Sequence, residues 1–281
     1  MDNLAAHEKT VLPEVEKTIR PLGLGPLSLL ALVVGVVTGF GAVVFRALIG
    51  LIHNIFFLGS FTVHYDANVF TPVGHWGPLV ILVPVIGGLG VTFLVSNFAP
   101  EAKGHGVPEV MDAIYYKGGT IRPVVAVVKS LASALSIGSG AAVGREGPII
   151  QIGSALGSTL GQIIRMPPAS RIILVAAGAG AGIAATFNTP LGGVMFAIEL
   201  MMPEVSVTTF LPVALATGAA TFVGRHFFGN AAAFIVPPLG AEAADMPAAL
   251  SLVLFAMLGA LTGIAATGLI RGLHWAEDLF E

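Results

Sequence analysis

The chain has 281 residues, of which 55% are hydrophobic and only 10% are charged, and its mean hydropathy is +0.90. A soluble domain normally carries about 25% charged residues, so this composition excludes an ordinary water-soluble protein. The net charge of −3 is small, and the sequence has no basic footprint of a nucleic-acid-binding protein; the lack of cysteine excludes disulfides, thiol catalysis and cysteine-based metal sites. We therefore expect an all-α polytopic protein in a lipid bilayer.

The N-terminal segment, residues 1–22, is polar and predicts either an amphipathic helix on the membrane surface or a disordered tail. It lacks the pattern of a cleaved signal peptide. Lysines and arginines occur in 1–22 and 99–122 but not in the connection 58–76. The positive-inside rule therefore predicts a cytoplasmic N-terminus in the cell (inner) membrane, followed by one transmembrane domain, residues 23–281.

Long apolar segments predict helices that cross the bilayer, since about 20 residues suffice. These segments are 26–57, 78–98, 207–228 and 246–279, and shorter apolar pieces are 107–116, 122–137, 148–164, 171–187 and 191–202. The short pieces are interrupted by Gly and Pro, which lipid tolerates only inside protein or beside a watery cavity. Such interruptions mark a transporter's binding site, so we expect the functional residues within 103–200.

Two of these pieces share one design, a glycine-flanked loop followed by Pro and a helix. They read "GHGVPEVMDAIYY" at 104–116 and "GREGPIIQIGSALG" at 144–157. Each predicts free backbone N–H groups at the positive end of a helix dipole, which is an arrangement that binds anions. The glycine repeat "GAGAG", at 178–182, indicates close helix packing rather than a dinucleotide site, because no strand precedes it.

The motifs "GHGVPEV" and "GREGP", followed by "FNTPLGGVMFAIE" at 187–199, resemble the CLC family of chloride channels and proton-coupled chloride transporters. The resemblance runs from about Leu29 to the C-terminus. It implies transport of chloride or a similar small anion, a homodimer that uses part of 191–228, and neither a cofactor nor a catalytic metal. It implies that Glu146 is the external gate, which occupies the outer anion site as a carboxylate and leaves it when protonated or displaced by chloride.

The resemblance also implies which residues surround the anion. They are Gly104, His105, Gly106, Val107, Pro108, Gly144, Arg145, Gly147 and Pro148. A buried Glu agrees with this assignment, since it costs about 3 kcal/mol at the centre of a membrane helix and a helix N-terminus offsets only about 0.3–2 kcal/mol. The alternative is a fixed Arg145–Glu146 ion pair, although adjacent residues rarely face each other on a helix.

Three features depart from the family pattern. His105 replaces the Ser that helps to hold the central anion, so the imidazole either donates to the anion or turns away and leaves coordination to the backbone. Leu200 stands where exchangers commonly carry an inward-facing Glu, and Leu cannot carry a proton. The chain covers the first of two inverted halves and the start of the second, so the later "GxFxP" loop and inner-gate Tyr have no counterpart.

Alternatives remain open for several residues. Lys129 either raises the positive potential along the anion path or is buried and paired structurally. His105, Glu109 and Asp112 form only a weak metal pattern, so we predict a solvated face there and no metal site. An intramembrane serine protease is not supported, since the required Gly-x-Ser-Gly loop is absent. A cation-coupled transporter of another fold and a non-conducting fragment or partner subunit remain competing hypotheses.

Overall fold

The computed structural model describes residues 22–65, 71, 76–230 and 248–280, and within these ranges the regular structure is entirely helical. The predicted surface segment, 1–22, lies almost wholly outside the described residues. The helices are α1 (Leu24–His53), α2 (Val83–Phe98), α3 (Val107–Tyr116), α4 (Pro123–Gly138), α5 (Glu146–Ile163), α6 (Pro168–Phe187), α7 (Pro190–Phe196), α8 (Val207–Phe228) and α9 (Ala248–Phe280).

Short irregular turns extend three of these helices. A π-helical turn, Asn54–Leu58, continues α1, and another, Ala197–Met201, continues α7. A 3₁₀ turn, Gly77–Leu82, leads into α2. Helical stretches long and apolar enough to cross a membrane occur at Leu24–Leu58, Gly77–Phe98, Pro168–Phe187, Val207–Phe228 and Ala249–Ala276. The predicted combination of spanning helices and short apolar pieces is therefore present in the described part of the chain.

Proline positions account for two of the helix starts that differ from the sequence prediction. α5 begins at Glu146, two residues before the expected start, and Pro148 is its third residue. The first-turn N–H groups of a helix have no internal partner, so a proline there removes no hydrogen bond. α6 begins at Pro168, three residues before the expected start, because proline suits the first helical position.

Close contacts between small residues bring the central helices together. α5 packs along α6, and α1 packs against α6 and α8. Where α5 meets α6, a Cβ atom on Gly153 would overlap the carbonyl oxygen of Gly178, and a Cβ atom on Gly178 would overlap that of Gly153. The backbones thus touch directly, which is how membrane helices gain packing energy without a hydrophobic driving force. This contact confirms the packing role predicted for Gly178.

The chain divides into two compact units, one within residues 1–233 and the other within 234–281. The first holds α1–α8 and two apolar cores. One core joins α1, α5, α6 and α8, and the other joins α3, α4, α5 and α6. The second unit consists, in its described part, of α9, which is long enough to cross a bilayer by itself.

Candidate anion-binding site

The two glycine loops identified in the sequence meet in the structure. A Cβ atom on Gly106 would overlap the carbonyl oxygen of Gly147, and a Cβ atom on Gly147 would overlap the carbonyl oxygen of His105. Only glycine allows this approach of one backbone to the other. Since α3 starts directly after Gly106 and α5 starts just before Gly147, the contact places the N-termini of both helices side by side.

Left-handed backbone conformations shape the first of these loops. Gly104 has φ +95° and Gly106 has φ +98°, a region that residues with a Cβ atom rarely adopt. Between them, the side chain of His105 is exposed and forms no hydrogen bond with any other described residue. The two glycines therefore turn the chain sharply into α3, and the exposed His105 lies between them.

A cavity of about 790 Å³ lies beside the paired helix starts. Its walls come from α2 and α4 and from the loops that precede α3 and α5. Of the predicted site residues, those that line it are Gly104, His105, Val107, Lys129, Gly144, Glu146, Gly147 and Pro148. Gly106, Pro108 and Arg145 do not line it. The structure thus gathers most of the predicted site around one space.

Free backbone donors are present at the start of α5. The first hydrogen bond of that turn runs from the N–H of Ile149 to the carbonyl of Arg145, and among the described residues no hydrogen bond uses the N–H groups of Glu146 or Gly147. These groups carry the positive end of the helix dipole. They can donate to an anion that enters the cavity.

The start of α3 differs from the sequence prediction of uncapped amides. The carboxylate of Glu109 accepts a hydrogen bond of 2.7 Å from the N–H of Gly106, so that donor is already occupied by an internal anion. The sequence signal was available, because an acid three residues after a helix cap is a known capping pattern. Glu109 is therefore a helix cap, a role that the sequence analysis did not assign to it, and since the residue is partly exposed the solvated face stays a prediction.

Glu146 is exposed and lines the cavity, with its carboxylate folded back against Gly144. No hydrogen bond or ion pair connects this carboxylate with another described residue. Its neighbour Arg145 points elsewhere, with the guanidinium 5.4 Å from the ring centroid of Phe187. The two charged side chains are thus not paired, and the carboxylate remains available to the cavity.

Lys129 is buried and held by hydrogen bonds, which is one of the two roles that the sequence left open. Its side chain is only 4% exposed, and the ammonium donates hydrogen bonds of 2.9 Å to the carbonyls of Ala102 and Gly104. It also lines the cavity. A lysine ammonium has three donors, so two of them hold the loop before α3 while the positive charge stays next to the cavity.

Leu200 lies in the π-helical turn that follows α7, away from the cavity residues. Its side chain is 43% exposed, and the neighbouring Glu199 is exposed as well. The structure therefore places no acid of this turn in the cavity.

Comparison with known proteins identifies the family. The family model described as voltage-gated chloride channel matches residues 87–281, which include both glycine loops and α2–α9 apart from the first turn of α2. The chain belongs to the voltage-gated chloride channel family.

Named relatives agree with this CLC-family assignment. A protein of Vibrio cholerae serotype O1 named H(+)/Cl(−) exchange transporter ClcA is 34% identical over 258 residues, covering 89% of this chain and 52% of the relative. A protein of the same name from Salmonella paratyphi B is 35% identical over 260 residues, covering 90% and 52%. The chain thus spans about half the length of these relatives.

Solved structures agree with the CLC fold. The crystal structure of a slow cyanobacterial Cl⁻/H⁺ antiporter matches with a TM-score of 0.69 and 28% identity, covering 85% of this chain and 54% of that one. A CLC-type fluoride/proton antiporter matches with a TM-score of 0.65 and 23% identity, covering 83% and 53%. The chain is therefore an integral membrane protein with the CLC fold, of which it spans about half.

Sequence reasoning missed a group of hydroxyl side chains that line the same cavity. They are Thr92 and Ser96 on α2 and Ser133 and Ser136 on α4. Ser133 and Ser136 lie four and seven residues after Lys129, a spacing that places all three on one face of a helix. This spacing is a signal that the sequence contained.

Proposed function

We propose that this CLC-family chain forms part of a transmembrane pathway for chloride or a similar small anion, and that Glu146 gates it. The observation that carries the proposal is the meeting of the α3 and α5 N-termini beside one cavity that also holds the Glu146 carboxylate. Oriented backbone dipoles stabilise an anion more strongly in a cavity that excludes bulk water than at an open surface.

The gating role follows from competition between two anions for the same donors. The free N–H groups of Glu146 and Gly147 can donate either to a diffusible anion or, after a side-chain rotation, to the carboxylate of Glu146. Protonation removes the carboxylate's charge, so the side chain no longer competes with the diffusible anion for these N–H donors. We infer that low pH and high chloride concentration both move Glu146 away from the start of α5.

Proton-coupled exchange is the second candidate function. It is supported by the names of the relatives from Vibrio cholerae and Salmonella paratyphi B and by the matched cyanobacterial antiporter. Against it stands Leu200, which cannot carry a proton at the position where exchangers commonly have an acid. If this chain couples chloride to protons, the proton must enter by another group.

We further propose the arrangement of the chain in the membrane. The cytoplasmic N-terminus follows from the distribution of Lys and Arg described above. The homodimer is supported by exposed apolar side chains on α7 and α8, which include Leu191, Phe210 and Phe222. Such side chains are as well suited to a partner subunit as to lipid, so the oligomeric state is tested by cross-linking in the native membrane.

The direct test is chloride efflux from liposomes that contain the full-length gene product. The wild type should release chloride, and Glu146→Gln should flatten the dependence of its rate on pH, since an amide keeps the shape of the acid without titrating. Glu204→Gln is the matched control, because Glu204 is exposed and lies outside the cavity. Efflux no faster than from empty liposomes would refute the transport function.

Three further outcomes test the gating role and separate the competing functions. An unchanged pH profile in Glu146→Gln would remove the gating role but leave transport intact. A chloride gradient that drives protons uphill would establish exchange, whereas chloride movement without proton movement would establish an uncoupled pathway.

A further inference from the structure

A stripe of polar side chains runs along the cavity face of α4. Lys129, Ser133 and Ser136 follow the i, i+4, i+7 spacing of one helix face, and all three line the cavity. Most of the other α4 side chains are apolar or small. The stripe is therefore a distinct feature of α4 and faces the same space as the starts of α3 and α5.

The two hydroxyls on this stripe have no partner in the described part of the chain. Elsewhere on α4, the hydroxyl of Ser130 donates to the carbonyl of Ala126 at 2.6 Å, and that of Ser139 donates to the carbonyl of Ser136 at 3.0 Å. No hydrogen bond uses the hydroxyl of Ser133 or of Ser136, and both side chains are only partly exposed. A serine in a helix usually satisfies its hydroxyl on a nearby carbonyl, so these two are free to donate into the cavity.

The charge next to the stripe favours an anionic occupant. Lys129 lines the cavity, and its ammonium donates to two carbonyls. The N–H groups at the start of α5 add the positive end of a helix dipole. A cation would meet the ammonium of Lys129, whereas an anion would meet donors on the α4 side and on the α5 side.

We propose that the hydroxyls of Ser133 and Ser136 donate hydrogen bonds to the transported anion and thereby set its affinity and selectivity. This inference rests on the proposed function. It adds hydroxyl donors from the side of α4 to the backbone N–H donors at the helix starts. The expected ligands are small anions that accept hydrogen bonds, with chloride, nitrate and fluoride as the probes.

The test compares Ser133→Ala, Ser136→Ala and the double variant with the wild type, using the full-length gene product. Chloride affinity is measured by calorimetric titration in detergent, and relative rates for chloride, nitrate and fluoride are measured in liposomes. Each alanine should weaken chloride binding about tenfold, as expected for the loss of one hydrogen bond to a charged group. Ser133→Thr and Ser136→Thr keep the hydroxyl and should retain most of the affinity.

Ser130→Ala is the matched control, since its hydroxyl bonds to α4 itself and does not line the cavity. It should leave chloride affinity and selectivity unchanged. Equal affinity and selectivity in the wild type and the double variant would overturn this inference and leave the proposed function standing. An equal loss in Ser130→Ala would also overturn it, because the effect would then be structural. A wild type that neither binds nor transports chloride would refute the proposed function itself.

Discussion

Gly106 and Gly147 lie backbone against backbone, so that a side chain on either residue would collide with a carbonyl oxygen of the opposite loop. This contact determines the distance between the starts of α3 and α5. Two helix dipoles can act on one anion only if their ends are close, because their effect falls off within the first turn. The glycines thus allow the two helix starts to lie close together, in addition to allowing the loops their backbone conformations.

Gly147→Ala should destabilise the protein by about 1–3 kcal/mol, as is typical of overpacking, and should slow chloride transport by separating the two helix starts. The thermal midpoint of the detergent-solubilised protein and its efflux rate measure the two effects. The control is Gly218→Ala on α8, where an added Cβ meets nothing within 4 Å. This control should be neutral or slightly stabilising. Equal behaviour of the two variants would contradict the proposed contact.

Lys129→Met should also destabilise the protein, because the carbonyls of Ala102 and Gly104 lose their donor. An unpaired buried acceptor costs about 1–3 kcal/mol. Transport should slow as well, since the positive charge beside the cavity is gone. Lys117→Met removes an exposed lysine that pairs with Asp112, and it should change stability by less than about 1 kcal/mol. If both variants melt at the wild-type temperature, the carbonyl contacts do not stabilise the loop.

Glu109→Ala should have two opposite effects. Loss of the cap on the Gly106 N–H should lower stability by about 1 kcal/mol. The same N–H then becomes available to a diffusible anion, so chloride should bind more tightly than in the wild type. Asp112→Ala, on the same helix and paired only with exposed Lys117, is the control for loss of an acid. Unchanged or weaker chloride binding in Glu109→Ala would show that this helix start does not hold the anion.

Leu200→Glu tests whether an acid at this position is sufficient for proton movement. The side chain is 43% exposed, so a Glu has room there, and the yield of folded protein is measured beside proton movement. We expect a chloride gradient to drive more protons across liposomes in Leu200→Glu than in the wild type. Leu200→Gln, which is polar but does not titrate, should not differ from the wild type in proton movement. Identical proton movement in all three proteins would argue that the proton pathway lies elsewhere.

Local sequence patterns predicted much of this architecture. The helix Val107–Tyr116 has the predicted bounds, because a glycine with positive φ precedes it and Gly118 and Gly119 follow it. The two glycine loops and the short apolar pieces also pointed to one region of the chain, and most of the residues that line the cavity come from that region. These features depend on residues close together in the sequence, where propensity and spacing act directly.

Packing between residues far apart in the sequence determined the side-chain partners and surroundings that local patterns left open. The sequence could not show whether Lys129 was free or paired, since its carbonyl partners lie 25 and 27 residues away on another loop. Helical spacing places Ser133 and Ser136 on the face of Lys129 and Ser130 on another face, but the sequence could not show that a cavity lies against that first face. The direction of a side chain is set by its own helix, but the space it enters depends on which helix stands opposite.

The sequence by itself determined that this chain is a helical membrane protein with two glycine loops suited to anions and a lone acid, Glu146, in one of them. Only the tertiary structure decided that the two loops touch, that Glu109 already occupies one amide, and that the Glu146 carboxylate is unpaired beside the cavity. The physical reason is the distance along the chain between the residues that determine each feature. Composition and helix periodicity reflect the local solvent and the chain's own backbone, whereas an anion site requires donors from separate helices to converge within a few ångströms.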